Sequence, residues 1–157
     1  MTPAIVSAKA AGIAFTVHQL EVGQDSGREA AAHLGLPPER LFKTVVVKID
    51  GARLAVVVLP ITSELDRKEL AAAIKAKRSA LASPDEAERA TGYRIGAISP
   101  LGQRQNLPTF LDRSALDFAT ICVSAGRRGL ELELSPSALQ SACKAEVLSI
   151  ASPKTAA

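Results

Sequence analysis

The chain has 157 residues, 47% of them hydrophobic, a formal net charge of +3 and a sequence pI near 9.1. That length suits one domain with a sizeable core, and a single compact domain is expected over residues 1–151, with 152–157 as a frayed tail. The longest apolar runs, such as the one from Leu54 to Ile61, stop well short of the ~20 residues a transmembrane helix needs. The N-terminus also lacks a basic segment leading into an apolar one, so no membrane association and a cytoplasmic protein are expected. Cys122 and Cys143 are too few for a disulfide framework and have no neighbouring His for a zinc site, so each reads as a buried small apolar residue. Aromatic residues make up 3% with no Trp, which argues against a base-stacking platform.

In chain order, Thr2 and Pro3 open a first helix as cap and first residue, and Gly12 closes it. Residues 13–20 alternate as a strand, and a polar link leads to a short helix over 28–34 that ends at Gly35. Phe42–Ile49 and Arg53–Pro60 are β-branched runs joined at Asp50-Gly51, a strong hairpin signal. A helix is expected over 63–76, with basic residues in its last turn, and another from Ser83-Pro84 to Thr91-Gly92. Short strands follow at 109–112, 120–124 and 130–134, the last two joined by Gly126-Arg127-Arg128-Gly129. A helix over 136–144 and an apolar segment over 147–150 complete the domain. Helices interspersed with hairpins predict a mixed α/β (α+β) fold whose sheet contains antiparallel pairs.

Residues 92–102 read Gly-Tyr-Arg-Ile-Gly-Ala-Ile-Ser-Pro-Leu-Gly, and no ordinary helix or strand accommodates that density of glycine and proline. A shaped loop is predicted, able to turn main-chain N–H and C=O groups towards a ligand. The chemistry elsewhere is sparse. There are two histidines, His18 and His33, with no HExxH, CxxC, GxGxxG or Walker-type loop, so metalloprotease, thioredoxin and P-loop readings lack their essential residues. No metal and no cofactor are expected. His33 reads as a helix-end residue, and His18, on a strand, as a satisfied rim histidine or a pocket-lining one. Lys43 interrupts a buried strand pattern, so its ammonium emerges beside β-branched neighbours, where it either snorkels or meets an anionic ligand or ester. Lys68, Lys75, Lys77 and Arg78 crowd one helix and its exit, and Arg104 and Arg127-Arg128 add further cations. Such charges suit either a solvated face or nucleic acid.

Taken together, Lys43-Thr44 opening a valine-rich strand, the Leu65-Asp66 helix start, Thr91-Gly92-Tyr93, the run Gly96-Ala97-Ile98-Ser99-Pro100-Leu101-Gly102-Gln103, Leu107-Pro108-Thr109 and Gly129-Leu130-Glu131 resemble the YbaK-type cysteinyl-tRNA(Pro) deacylases. That superfamily includes the editing domain of bacterial prolyl-tRNA synthetases, and the resemblance covers nearly the whole chain. It implies a central, barrel-like mixed sheet surrounded by helices, and a trans-editing hydrolase whose partners are tRNA(Pro) and prolyl-tRNA synthetase. It also implies chemistry in which the thiol of the attached cysteine attacks its own ester, with no protein nucleophile.

Carried over by position, Lys43 and Gly96 are the catalytic candidates. Thr44, Ala97, Ile98, Ser99, Pro100, Glu131, His18 and Leu20 are the candidate substrate-binding residues. Gly96 would supply a backbone N–H near the carbonyl. Three departures stand out: Glu131 where relatives carry Asp, Leu20 where they often carry Tyr, and about Ser26 where they often carry Phe. A deacylase for alanine or another small residue, or a non-catalytic tRNA-binding module, are the alternatives.

Overall fold

The computed structural model describes residues 1–21, 23, 24 and 27–154. Its elements run α1 (Pro3–Ala10), β1 (Phe15–Gln19), α2 (Gly27–Leu34), β2 (Phe42–Ile49), β3 (Arg53–Pro60), β4 (Ser63–Leu65), α3 (Arg67–Ala73) and β5 (Ser79–Leu81). They continue with α4 (Pro84–Thr91), β6 (Thr109–Asp112), β7 (Ile121–Arg127), β8 (Leu130–Leu134), α5 (Pro136–Cys143), β9 (Glu146–Leu148) and β10 (Ala151–Pro153). The expected mixed sheet is present. In the order β5-β2-β3-β6-β9, the β2–β3 and β2–β5 pairs are antiparallel, while β3–β6 and β6–β9 are parallel. A second sheet, β1-β8-β7, meets the first at a parallel bridge between Leu41 and Cys122, and the strands do not close into a complete barrel.

The hairpin forms with the predicted strand limits. Asp50 and Gly51 both take positive φ (52° and 68°), and Ala52 N–H donates to Ile49 C=O to close the turn. Both faces of the hairpin are covered, which is why its strands are valine-rich without polar alternation. Phe42, Val46, Val56 and Val58 face the main core with Leu130, Leu132 and Leu134 of β8. Val47, Ile49, Val57 and Leu59 face a second core against Leu70 of α3 and Ile150. A smaller cluster packs Ala30 and Ala31 of α2 onto Leu41 and Cys122.

Two expectations are corrected. The helix expected over 63–76 is shorter, because Ser63–Leu65 is a strand and Asp66 is the N-cap, its Oδ1 accepting from Glu69 N–H at 3.0 Å. Ser152 and Pro153, expected to fray, pair with Glu64 and Ser63. Both corrections have one cause, since β4 and β10 are partners almost ninety residues apart, and local pattern carries no trace of such a pairing.

Candidate functional site

The glycine-rich loop is held in shape by its own groups. Gly92, at φ 81°, closes α4, and Ala97 N–H donates to Arg94 C=O at 2.9 Å. Ser99, fully buried, accepts from Leu101 N–H through its hydroxyl and from Gln103 Nε2 through its carbonyl. Tyr93 donates its hydroxyl to Leu101 C=O at 2.6 Å, and burial pushes that phenol up to about 12. A Cβ on Gly102 would meet Pro3 O at 2.4 Å, so the end of the loop presses directly on α1. Tyr93→Phe removes the one side-chain donor that reaches Leu101 C=O. It should lower stability by about 1–2 kcal/mol in a chemical-denaturation titration, because the buried carbonyl then lacks its partner.

Gly96 stands at φ 88°, and nothing lies within 4 Å of where its Cβ would be. Its N–H makes no backbone hydrogen bond among the described residues. It lines a cavity of about 280 Å³ with Gly27, Ile95, Ser124, Arg127, Arg128, Gly129 and Glu131. Strand β8 supplies the acid. Its sequence Leu-Glu-Leu-Glu-Leu alternates strictly, sending Leu130, Leu132 and Leu134 into the core and both glutamates to the opposite face. Register places Glu131 between His18 of β1 and Ser124 of β7. Sequence reasoning missed Ser124, although its spacing of two from Cys122 on a strand would place both on that face.

Further along the same face, Glu133 is clamped. His18 Nε2 lies 2.7 Å from its Oε1, and Thr120 Oγ1 donates to its Oε2 at 2.5 Å. Arg40 Nη2 donates to the same Oε2 at 3.3 Å and also to Thr120 Oγ1. His18 is therefore a satisfied rim histidine. Ligand atoms of His18, Cys122 and Glu133 lie within 4.8 Å of one another, but both carboxylate oxygens are already taken by protein donors. Cys122 is fully buried, as expected, and burial before all else pushes its thiol up to about 12.

The Thr120 and His18 hydrogen bonds hold the Glu133 carboxyl below its usual range. A depressed folded-state pKa means that this stabilisation is present above the ordinary carboxylate pKa and is lost as pH falls through the lowered value. Glu133→Gln should therefore melt lower than the parent chain at neutral pH, with the difference in Tm shrinking in acid.

Lys43 lies elsewhere. Its Nζ donates to Ser63 C=O at 2.7 Å, and it lines a cavity of about 390 Å³ with Val45, Leu59, Glu64, Leu65, Arg67 and Leu81. Burial lowers its pKa, Lys154 adds to that effect and Glu64 opposes it. The structure thus brings Gly96 and Glu131 together but does not put Lys43 in the same cavity.

Thr44 does not stand beside Lys43 either. Strand alternation turns it to the face of Phe42 and Val46, where its Oγ1 is buried with no hydrogen-bond partner among the described residues. Ala97 and Ile98 are buried walls of the loop, and Pro100 lines a third, polar cavity with Gln103, Arg104 and Lys144. Cys143 borders that cavity, its thiol donating to Pro100 C=O at 3.2 Å. Leu20 packs near α2, its N–H donating to Gly129 C=O, which ties β1 to the cavity wall. Ser26 lies outside the described residues.

The fold is a mixed α/β scaffold that carries a cavity walled by backbone and charge. Residues 23–142 match the family described as the aminoacyl-tRNA editing domain. The chain is 38% identical over 116 residues to EbsC of Enterococcus faecalis, a protein named as a candidate Cys-tRNA(Pro)/Cys-tRNA(Cys) deacylase, spanning 74% of this chain and 71% of that one. It is 33% identical over 102 residues to the proline–tRNA ligase of Acidithiobacillus ferrooxidans, covering 65% of this chain and 18% of the ligase. Among solved structures, APE2540 superposes with a TM-score of 0.88 at 25% identity, covering 96% of this chain and 100% of that one. A candidate trans-editing enzyme for prolyl-tRNA synthetase superposes at 0.86 and 20% identity, covering 97% and 99%, and shares the fold. The chain belongs to the aminoacyl-tRNA editing domain family and is an aminoacyl-tRNA deacylase by class. No helix among the described residues is long and apolar enough to cross a membrane.

Proposed function

We propose that this protein deacylates cysteinyl-tRNA(Pro) in trans, with prolyl-tRNA synthetase as the partner that presents the tRNA, in the cytoplasm. The observation that carries the reading is the Gly96–Glu131 cavity, whose lining among the described residues includes a backbone N–H without a backbone acceptor, a carboxylate and two arginines but neither His nor Cys. Such a site orients an ester and supplies charge without attacking it. Gly96 N–H is the donor for the carbonyl oxygen as it becomes negative, and Glu131 receives the substrate's ammonium group. The cysteine thiol attacks its own carbonyl carbon, the C–O bond to the ribose breaks, and the thiol proton ends on the leaving oxygen. The resulting thiolactone then adds water to give free cysteine. Orientation is the protein's main contribution, because intramolecular attack gains most from a held geometry.

Lys43 is assigned to the nucleotide end of the substrate. An ammonium has three donors and Ser63 C=O uses one, so two remain for a phosphate or ester oxygen. The substrate then bridges the two cavities. Similarity to EbsC supports the cysteinyl specificity, since that relative is named for it. The deciding experiment compares tRNA(Pro) charged with cysteine, alanine or serine. Cleavage of the cysteinyl ester alone supports the reading, cleavage of all three points to a water-using deacylase for small residues, and tRNA binding without turnover marks a non-catalytic module.

A further inference from the structure

Arg67 lines two cavities, that of Lys43 and a second one of about 470 Å³. The second holds four cations, Arg67, Lys68, Lys77 and Arg78, and no carboxylate is among its lining residues. Arg67 and Lys68 open α3, whereas Lys77 and Arg78 follow its end, ten residues later. The reversal that gathers them is built into the fold. Lys75 takes φ 58°, Ala76 N–H donates back to Ala71 C=O at 2.8 Å, and the returning chain is tied to the helix start by Ser79 Oγ donating to Arg67 C=O at 2.8 Å. Asp50 holds the same segment, its Oδ1 accepting from the backbone N–H of Lys77 and of Arg78 at 2.9 and 3.0 Å. Its Oδ1 is spent on main chain, and the carboxylate feels the Lys77 charge without reaching ion-pair distance of any of the four side chains among the described residues. None of the four cations joins an ion pair among the described residues.

Four exposed cations gathered in one groove and answered only in part by Asp50 make a local positive potential that attracts an anion. Among the described residues the groove is lined by no aromatic residue to stack a base and no carboxylate to accept from one, which suits phosphates and not sequence selection. We propose that this groove binds the phosphodiester backbone of an RNA stem and guides the strand past Arg67 to the Lys43 cavity. The proposal rests on the reading of the chain as a tRNA-directed enzyme and adds to it the surface that carries the stem.

The test reads binding, not turnover, so it stands or falls separately from the deacylase assignment. Fluorescence anisotropy of uncharged tRNA(Pro) is measured against salt for the parent chain and for the triple variant Lys68→Gln/Lys77→Gln/Arg78→Gln. All three positions are exposed, so the fold should survive, and a thermal melt checks this. Losing about three phosphate contacts should weaken binding roughly 100-fold at low salt and flatten the slope of log K against log salt by about 2.7. Lys68→Arg/Lys77→Arg should bind like the parent chain.

An unchanged affinity and slope in the triple variant overturns the proposal. So does an equal loss in Lys9→Gln/Arg113→Gln/Lys144→Gln, which would make net charge alone responsible. Intact RNA binding with lost association to prolyl-tRNA synthetase would also overturn it, assigning the groove to an acidic protein face.

Discussion

Lys43→Ala is expected to abolish deacylation of cysteinyl-tRNA(Pro) while leaving the fold in place. Its ammonium is half-buried, and among the described residues its one hydrogen bond goes to a neutral acceptor, Ser63 C=O, with the Glu64 charge nearby. Burial lowers its pKa, which means that the surroundings hydrate the charge less well than water does. A phosphate or ester oxygen arriving there meets a cation with spare donors and little competing solvent, a setting in which a charge-assisted hydrogen bond is strong. Alanine removes that donor outright. A drop of about 10³-fold or more in kcat/KM is expected, or about 4 kcal/mol of transition-state stabilisation.

The fold has little reason to follow, because Lys43 belongs to none of the buried clusters and losing its hydrogen bond costs about 1 kcal/mol. If the protonated lysine is the active form, its lowered pKa makes the alkaline fall in kcat/KM begin below the range of an ordinary lysine. Full activity in Lys43→Ala, with an unchanged melt, would detach Lys43 from the reaction and leave the Gly96 cavity alone as the site.

The second large effect is the dependence on the acyl group. If the substrate's sulfur is the nucleophile, alanyl-tRNA(Pro) lacks the attacking atom and should be cleaved on the order of 10³-fold more slowly than the cysteinyl ester, or not at all. The seryl ester is the sharper comparison, since it keeps nearly the same shape and replaces the thiol with a much less acidic hydroxyl. Initial rates on the three esters of one tRNA measure this directly. Comparable rates would overturn the thiol-driven chemistry and shift attention to water activated near Glu131 or Ser124. Neither of those residues faces a free histidine, as His18 is engaged with Glu133.

Much of this was legible before any coordinates. The hairpin limits, the Asp50-Gly51 turn, the capped helix from Ser83 and the shaped character of residues 92–102 depend on steric and hydrogen-bonding rules that act over a few residues. Strict Leu/Glu alternation in β8 is likewise a local pattern that gives the strand two faces, but nothing local marks Glu133 as the clamped acid. The ion-paired clamp on Glu133 needed Arg40, His18 and Thr120 to arrive from three separate segments.

Local chemistry in the chain was sufficient to determine the hairpin, the capped helices and the shaped glycine-rich loop, because each rests on neighbours in sequence, and the resemblance to a family rested on the order and spacing of motifs from Lys43 to Glu131. Tertiary structure alone decided that Lys43 and Gly96 line different cavities, that β4 pairs with β10, and that cations ten residues apart share one groove. The physical reason is common to all three. Which side chains converge depends on strand register and on loop closure between distant segments, and those are set by packing free energy summed over the whole core, which no short window of sequence contains.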